Sequence, residues 1–584
     1  NDGWVIADPV AEGRSLGRLI EEGLARDKAV FIPILKHAGR LRTLRKHLEN
    51  LELGACNALI LDDEADQASL NTRVRIDEES PTYQSLIDLT ESIDKFLYLQ
   101  ITATPFAPLL IKPRDELAPS FVEVLEPGDG YTGAKEFFVD KSNAIIRPVH
   151  RREALSEPPN HLADGLQKAL ANFLCGAALL LHKDTDNAPV SMLVHASALL
   201  SVHERLAFLL EREINSIRSR IRGVSTVQDL PLNFLSEDTG LPDLWRHGVE
   251  EVSEADFLWW LRRVIDLIQV SEVNSASEQT DVDWSSTPVH ILVGGNKLDR
   301  GFTIEGLTVS YLSRSASSQL DTLVQRGRAF GYRREYLAYC RFFATGDTIA
   351  AFRGSVETDE DMRRHLKKWL DAGRPLTKWA DHVGFVVPDE MVPTRASVVP
   401  QITRIPNRGW HMLSNPDPST EIESANRHLL AELGLFDAPY EQFGRLSFRT
   451  LHDVSITEVS SLVTEWSGGV RSGWSRVRDP EFLERVAEHQ SDLAMDIVLL
   501  TGPDGEPRIR SWNQVVGFSN LMQGRDPKFE GSADQYGGDR SIFPNQSGLQ
   551  VHWIQARQAD VGPVHTLVLH IGNEIYAATE VRRG

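Results

Sequence analysis

Asp63-Glu64-Ala65-Asp66 closes the apolar run Ala58-Leu59-Ile60-Leu61, and Thr102-Ala103-Thr104-Pro105 closes a second run that begins at Phe96. An apolar strand ending in paired acids offers a Mg²⁺-water ligand and a general base at the carboxyl edge of a parallel sheet, where open α/β folds bind their ligands. In that chemistry Asp63 holds Mg²⁺ through water, and Glu64 orients and deprotonates the attacking water. Asp66 links the site to a second domain, while the Thr102 and Thr104 hydroxyls relay hydrolysis into domain movement. A single acidic turn would fit a solvated strand end, and lone threonines at strand ends usually cap. The two motifs in this order carry the reading.

A second set of residues lies far downstream. The strand-like run that starts at Val289 enters Gly294-Gly295-Asn296-Lys297-Leu298-Asp299-Arg300-Gly301-Phe302. Glycines there let backbone amides approach a phosphate with no side chain in the way, so Gly295, Arg300 and Gly301 are nucleotide-binding candidates. Gln325-Arg326-Gly327-Arg328-Ala329-Phe330-Gly331-Tyr332-Arg333 follows a helix with inward-facing Leu320, Leu323 and Val324. From that position Arg328 and Arg333 can stabilise charge on a transferred γ-phosphoryl group; the plainer reading is a basic helix end meeting the helix dipole. Lys36, Arg42, Arg45 and Lys46 crowd one strand-to-helix corner and are DNA-contact candidates, although a solvated helix face explains such a run equally well.

The elements that must position these groups fall into three regions. Residues 1–148 alternate helix and strand: a helix over 15–26, a strand over 29–35, a helical stripe at Leu41, Leu44, Leu48 and Leu51, a strand into the acids, a helix from Ser80-Pro81 to 95, and a strand over 96–102. That order implies a parallel sheet. Residues 119–147 read as a connector. Residues 149–385 repeat the α/β pattern, with helices over 162–181, 257–270 and 318–330 and strands over 191–194, 289–293, 308–312 and 339–344. Residues 386–584 carry short alternating runs broken by Gly, Pro and Asp, so they read as a β-rich domain.

Composition narrows the class further. With 584 residues, two to four domains are expected. Cys56, Cys175 and Cys340 are too far apart for a disulfide framework or a zinc cluster. The most apolar stretch, Ala169 to Leu181, contains Asn172 and is shorter than the roughly 20 residues of a membrane span. No signal peptide is visible, so a cytoplasmic protein is expected. A formal net charge of −21 argues against adhesion of the whole surface to DNA; any such contact must come from local basic stripes. His365-Leu366-Lys367 has the H-x-K form of phospholipase-type nucleases, but Asp371 follows at the wrong spacing, and a helix face accounts for it better. His195, at a strand end, reads as structural sooner than as a nucleotide sensor.

The first region resembles the nucleotide-binding core of Superfamily 2 DEAD-type helicases. The strings Gly294–Tyr311 and Asp321–Arg333, with Met192–Ser197, resemble the Z-1 (Z1) domain, a divergent second motor domain. That family includes the helicase-like subunits of CglI-type and NgoAVII-type bacterial restriction endonucleases. The resemblance implies two RecA-like domains, ATP and Mg²⁺ as cofactors, double-stranded DNA as track, and a separate site-specific nuclease subunit docked through the C-terminal domain. It makes Asp63 and Glu64 the Walker B pair, Arg300-Gly301 the motif V core, and Arg328 and Arg333 the motif VI arginines. One departure stands out: no G-x-x-x-x-G-K-[ST] phosphate loop occurs in the sequence, which begins with Asn. Loss of upstream residues carrying that loop is the expectation. A stand-alone nucleic-acid helicase and a non-hydrolysing scaffold for a nuclease are the alternatives.

Overall fold

The computed structural model describes residues 4–51, 56–74, 78–183, 189–246, 252–273, 282–295, 303–314, 317–379, 385–388, 391–395, 397–399, 402–413, 415–443, 446–467, 480–513, 517–522, 538–543, 546–557, 562–575 and 579–583. They form a mixed α/β structure with parallel sheets in the first two regions and mostly antiparallel pairing in the third. None of the described helices is long and apolar enough to cross a membrane.

In the first region Trp4–Ile6 pairs in parallel with Ala29–Phe31, and Ala58–Asp63 pairs in parallel with Phe96–Ile101. The second strand stops at Phe31, two residues before Pro33, which has no N–H to give a ladder. Helix Ala38–Leu48 buries Leu41, Leu44 and Leu48, the expected stripe at helical spacing. Helix Pro81–Glu91 starts with Pro in its first turn, as Ser80-Pro81 implied, and ends short of residue 95. The outer faces of these strands stay open. Leu59, Leu61 and Leu97 are 59%, 53% and 50% exposed, although parallel sheets ordinarily have both faces covered.

The second region is organised by a six-stranded, wholly parallel sheet. Its spatial order is Ile146–Val149, Arg341–Thr345, Leu307–Leu312, Val190–Val194, Val289–Gly294 and Gln269–Val273. Four of these strands are buried at every position, which is why they read as continuous apolar runs. Helices Asp164–Lys183, Leu200–Ile221 and Glu254–Leu267 cover the sheet. The span 119–147 is not a plain connector: its end enters the edge strand Ile146–Val149. Asp243 fastens that edge, accepting from Arg147 and, at 2.8 Å, from Arg341 Nε.

Two cores hold these sheets together, and their borders do not follow the chain order. One core joins residues between 7 and 146 to residues between 312 and 399; the other draws on residues 162–343. At the first core's centre Phe138 stacks on Phe352 at 4.7 Å and meets Phe342 edge-on at 5.2 Å. Phe352 lies on the 26-residue helix Gly346–Asp371, which also carries His365 with its Nδ1 3.7 Å from Asp361. The H-x-K string is thus part of a helix face.

The third region is β-rich, as expected, but not purely β. Strands running from Gly409 to Ile571 form a mixed sheet, but helices Thr420–Glu432, Ile456–Glu465 and Pro480–His489 accompany it. Nor does the border fall cleanly at residue 386. Phe385–Val387 is a strand paired with Thr579–Arg583, and Met391, Val398 and Val399 are buried in the first core.

Candidate functional site

Asp62 and Asp63 are the last residues of their strand, and the chain turns at Glu64-Ala65-Asp66. Strand alternation sends Asp62 inward, 4% exposed, and leaves Asp63 outward. Tyr98 on the neighbouring strand donates to the Asp62 carboxylate. Burial and that carboxylate hold the Tyr98 phenol well above its usual pKa. Lys36 braces the turn from below: its ammonium lies 2.9 Å from Asp62 Oδ1 and donates to the carbonyls of Asp63 at 2.5 Å and Glu64 at 2.8 Å. An expected DNA contact is thus engaged in holding the acidic turn.

Glu64 has φ of 53°, a left-handed conformation uncommon for a residue with a side chain. The brace keeps it there. Its amide donates to Asp63 Oδ1 at 3.0 Å, its carboxylate accepts from Gln67 at 2.9 Å, and its carbonyl accepts from Lys36. Backbone strain held by surrounding bonds is frequent where side chains must be aimed.

Asp66 is buried, at 1% exposure, and is the hub of the site. Thr102 donates to its Oδ1 at 2.8 Å and Thr104 to its Oδ2 at 3.0 Å. Gln325, in the last turn of helix Leu320–Arg326, donates to Asp66 Oδ2 at 3.2 Å and to Thr104 Oγ1 at 3.1 Å. Arg395 adds a bond to the Asp66 carbonyl at 3.2 Å. The strand-end motifs of the first region therefore meet the basic string of the second at one carboxylate. Gln325 was visible in that string without an assigned role, and Arg395 had no local signal.

Across the junction lies the carboxyl edge of the six-stranded sheet. His195 follows strand Val190–Val194, Gly295 follows Val289–Gly294, and Arg314 follows Leu307–Leu312. Arg314 Nη1 lies 3.2 Å from His195 Nε2. Gly295 must lack a side chain, because a Cβ would stand 2.8 Å from the His203 ring. Burial, then Arg314, Arg326 and His203, push the His195 pKa down to about 3.

The remaining candidates divide. Arg333 is buried and donates to the carbonyl of Leu307 at 2.5 Å, the hydroxyl of Tyr336 at 2.9 Å and the carbonyl of Arg328 at 3.1 Å. Those bonds make it a clamp on its own loop and leave it badly placed as an arginine finger. Arg328 is half-buried beside it. Arg300 and Gly301 lie outside the described residues. Arg42 donates to Ser85 at 3.2 Å, and Arg45 pairs with Asp88 at 2.9 Å and Glu49 at 2.6 Å, while Lys46 is exposed. The basic corner is largely knitted to the next helix.

Among the described residues there is no cluster of three or more His, Cys, Asp or Glu side chains that could hold a metal. Mg²⁺ is usually bound by one or two carboxylates together with water and substrate phosphates. Asp63, outward at the strand end, is a carboxylate that could take such an ion.

Residues 165–383 match a family model described as the Z1 domain. The match takes in every strand of the six-stranded sheet except Ile146–Val149 and includes His195, Arg314 and the Gln325–Arg333 string. It does not reach the acidic turn. No curated protein and no solved structure matches the chain.

Proposed function

We propose that this chain is the ATP-driven motor subunit of a bacterial restriction or phage-defence complex, working in the cytoplasm. Its two parallel-sheet bodies act as RecA-like domains that hydrolyse ATP between them and move along double-stranded DNA. A separate site-specific nuclease subunit docks on the C-terminal region. The observation that carries this reading is the four-residue junction of Asp66, Thr102, Thr104 and Gln325. A hydrolysing acid pair one turn away from a bond between two sheets is what coupling of turnover to domain movement needs.

In this reading Asp63 holds Mg²⁺ through water, and Glu64, aimed by its left-handed backbone, orients and deprotonates the attacking water. Lys36 keeps both acids in register. Gly295 opens the second sheet's edge to a phosphate, and Arg328 supplies positive charge to the transferred group. Lys46, exposed on the basic corner, faces the phosphate backbone of the track. The Z1 match over 165–383 supports the assignment of the second body.

A second reading has its own observation. The sequence contains no G-x-x-x-x-G-K-[ST] string, so a non-hydrolysing scaffold that holds a nuclease is the competing function. One experiment decides. The full gene product is assayed for ATP hydrolysis with long duplex DNA and for strand separation on forked duplexes. Duplex-stimulated hydrolysis without unwinding is the expected result; unwinding points to a stand-alone helicase, and no hydrolysis to the scaffold.

A further inference from the structure

Arg395 reaches the acidic turn from far down the chain: its Nη2 donates to the Asp66 carbonyl at 3.2 Å across 329 residues of sequence. Asp66 is thus held twice, at its carboxylate by Thr102, Thr104 and Gln325, and at its backbone by Arg395. The Arg395 side chain is half-buried, and its Nε has no hydrogen-bond partner among the described residues. A buried donor left unmet is uncommon, and here packing, not full pairing, sets where the guanidinium lies.

The backbone ahead of Arg395 explains its placement. Val392 exchanges bonds with the start of helix Leu320–Arg326: its amide donates to the Ser318 carbonyl and its carbonyl accepts from the Leu320 amide, both at 2.9 Å. The Pro393 carbonyl accepts from the Asp321 amide at 3.3 Å, and Thr394 donates to Asp321 Oδ2 at 3.0 Å. These carbonyls satisfy amides of the helix's first turn, which have no partner within the helix. The last turn of the same helix carries Gln325 to Asp66. A closed circuit results, running from Asp66 through Gln325 and the helix to Asp321, then through Thr394 and Arg395 back to Asp66. Strands Phe385–Val387 and Ile402–Pro406, on either side of this segment, both pair antiparallel with Thr579–Arg583. Residues 391–395 therefore belong to an excursion tied at both ends to one C-terminal strand, and Met391, Val398 and Val399 seat it in the first core.

We propose that Arg395 is a positioning residue for the acidic turn, and that residues 391–395 are the strap that holds it there. The catalytic consequence rests on the nucleotide-hydrolysing reading; the mechanical one does not. Among the described residues Arg395 pairs with neither Asp63 nor Glu64, so it acts by fixing the backbone two residues beyond Glu64. The acids are thereby placed from both ends of the turn, with Lys36 at the carbonyls of Asp63 and Glu64 and Arg395 at that of Asp66.

Backbone hydrogen exchange of the whole chain tests the mechanical part, because it reads local opening amide by amide. The reporters are the amides of Ala65, bonded to the Ile101 carbonyl at 3.1 Å, and Gln67, bonded to the Glu64 carbonyl at 3.0 Å. The Ala58 amide, at the opposite end of strand Ala58–Asp63 and bonded to the Lys95 carbonyl at 2.9 Å, is the reference. Arg395→Ala should speed exchange of both reporters by about tenfold or more, the usual effect of losing a hydrogen bond from a charged group, and leave Ala58 unchanged. Arg395→Lys keeps a charged donor and should stay close to wild type. Thr394→Val should act in the same direction but more weakly. It should add nothing to Arg395→Ala in the double variant, because it works through that arginine. Unchanged reporters in Arg395→Ala overturn the proposal, as do equal changes at Ala58 or additive effects of the two substitutions. In the full gene product Arg395→Ala should lower kcat for ATP hydrolysis and leave ATP affinity near wild type. Lost affinity with kcat intact would make Arg395 a nucleotide contact and overturn the positioning role. Arginine-dependent exchange in a protein that does not hydrolyse ATP keeps the positioning role and removes the hydrolase reading.

Discussion

Gln325 donates to the Asp66 carboxylate at 3.2 Å across 259 residues of sequence, and the same amide donates to Thr104 at 3.1 Å. One side chain therefore touches both strand-end motifs of the first sheet. Asp66→Ala leaves Thr102, Thr104 and Gln325 without their acceptor in a buried place, at a cost of about 1–3 kcal/mol. Gln325→Ala removes only the bridge and should cost about 1 kcal/mol. Chemical denaturation checks both, and equal stability of Asp66→Ala and wild type would show that the junction is not formed in solution. In the proposed motor, Gln325→Ala should also keep ATP binding and lose duplex stimulation.

Glu64 combines a proposed catalytic carboxylate with a left-handed backbone. Glu64→Gln should abolish ATP hydrolysis in the full gene product and leave nucleotide binding largely intact, because the amide cannot take the water's proton. Glu64→Gly should be neutral or up to about 1 kcal/mol more stable, since glycine adopts positive φ without steric cost. Loss of activity with gained stability would mark the strain as part of the site. Hydrolysis by Glu64→Gln within a few-fold of wild type removes Glu64 as the base.

Arg333 and Arg328 should part company. Arg333→Ala strips donors from three acceptors and leaves a buried gap, an expected loss of about 2–4 kcal/mol in stability. Arg328→Ala should keep the melting temperature and lower ATP turnover by on the order of 10³, as arginine fingers do. A stable but inactive Arg333→Ala protein would return the finger to Arg333.

His195 gives the fold a pH signature. Its pKa is pushed down to about 3 in the folded protein, while an unfolded chain titrates it near about 6.5. Protons therefore favour unfolding: its contribution is undiminished above the unfolded value and declines as pH falls from there towards 3. Each unit in that window costs up to about 1.4 kcal/mol. His195→Gln should flatten that part of the stability profile, measured by denaturant midpoints between neutral pH and pH 5. An unchanged slope would mean that another group, such as the similarly buried His552, sets it.

Met391, Val398 and Val399 belong to the first core, which changes where the chain can be cut. Ending it at residue 388 removes Met391, Val398 and Val399 from the core and the Thr394–Asp321 and Arg395–Asp66 bonds, and strips Phe385–Val387 of its partner strand. Each buried apolar side chain lost is worth about 1.5–3 kcal/mol, so that protein should aggregate or melt far below wild type. A soluble, cooperatively melting product would show that the tail is a separable domain after all.

What the sequence determined by itself was local. Apolar runs ending in Asp63-Glu64 and in Thr102-Ala103-Thr104 gave the strands Ala58–Asp63 and Phe96–Ile101 in their parallel order, leucines at helical spacing gave the helix Ala38–Leu48 ahead of them, and Ser80-Pro81 gave the start of the helix between them. Four strands of the second sheet were equally plain, because strands buried on both faces write themselves as unbroken apolar segments, whereas the edge strands Ile146–Val149 and Gln269–Val273 were not. These signals depend on a few neighbouring residues and survive without knowledge of the rest of the chain.

Tertiary structure decided which groups meet. The basic corner separated into Lys36, which braces the acidic turn, and Arg42 and Arg45, which tie two helices together, because charged donors go to whatever acceptors packing brings near. Arg333 turned inward to its own loop's carbonyls, and Ile146–Val149 left the expected connector to pair with Arg341–Thr345. Gln325 and Asp66 have no sequence pattern in common. Their bond exists because one core packs residues between 7 and 146 against residues between 312 and 399.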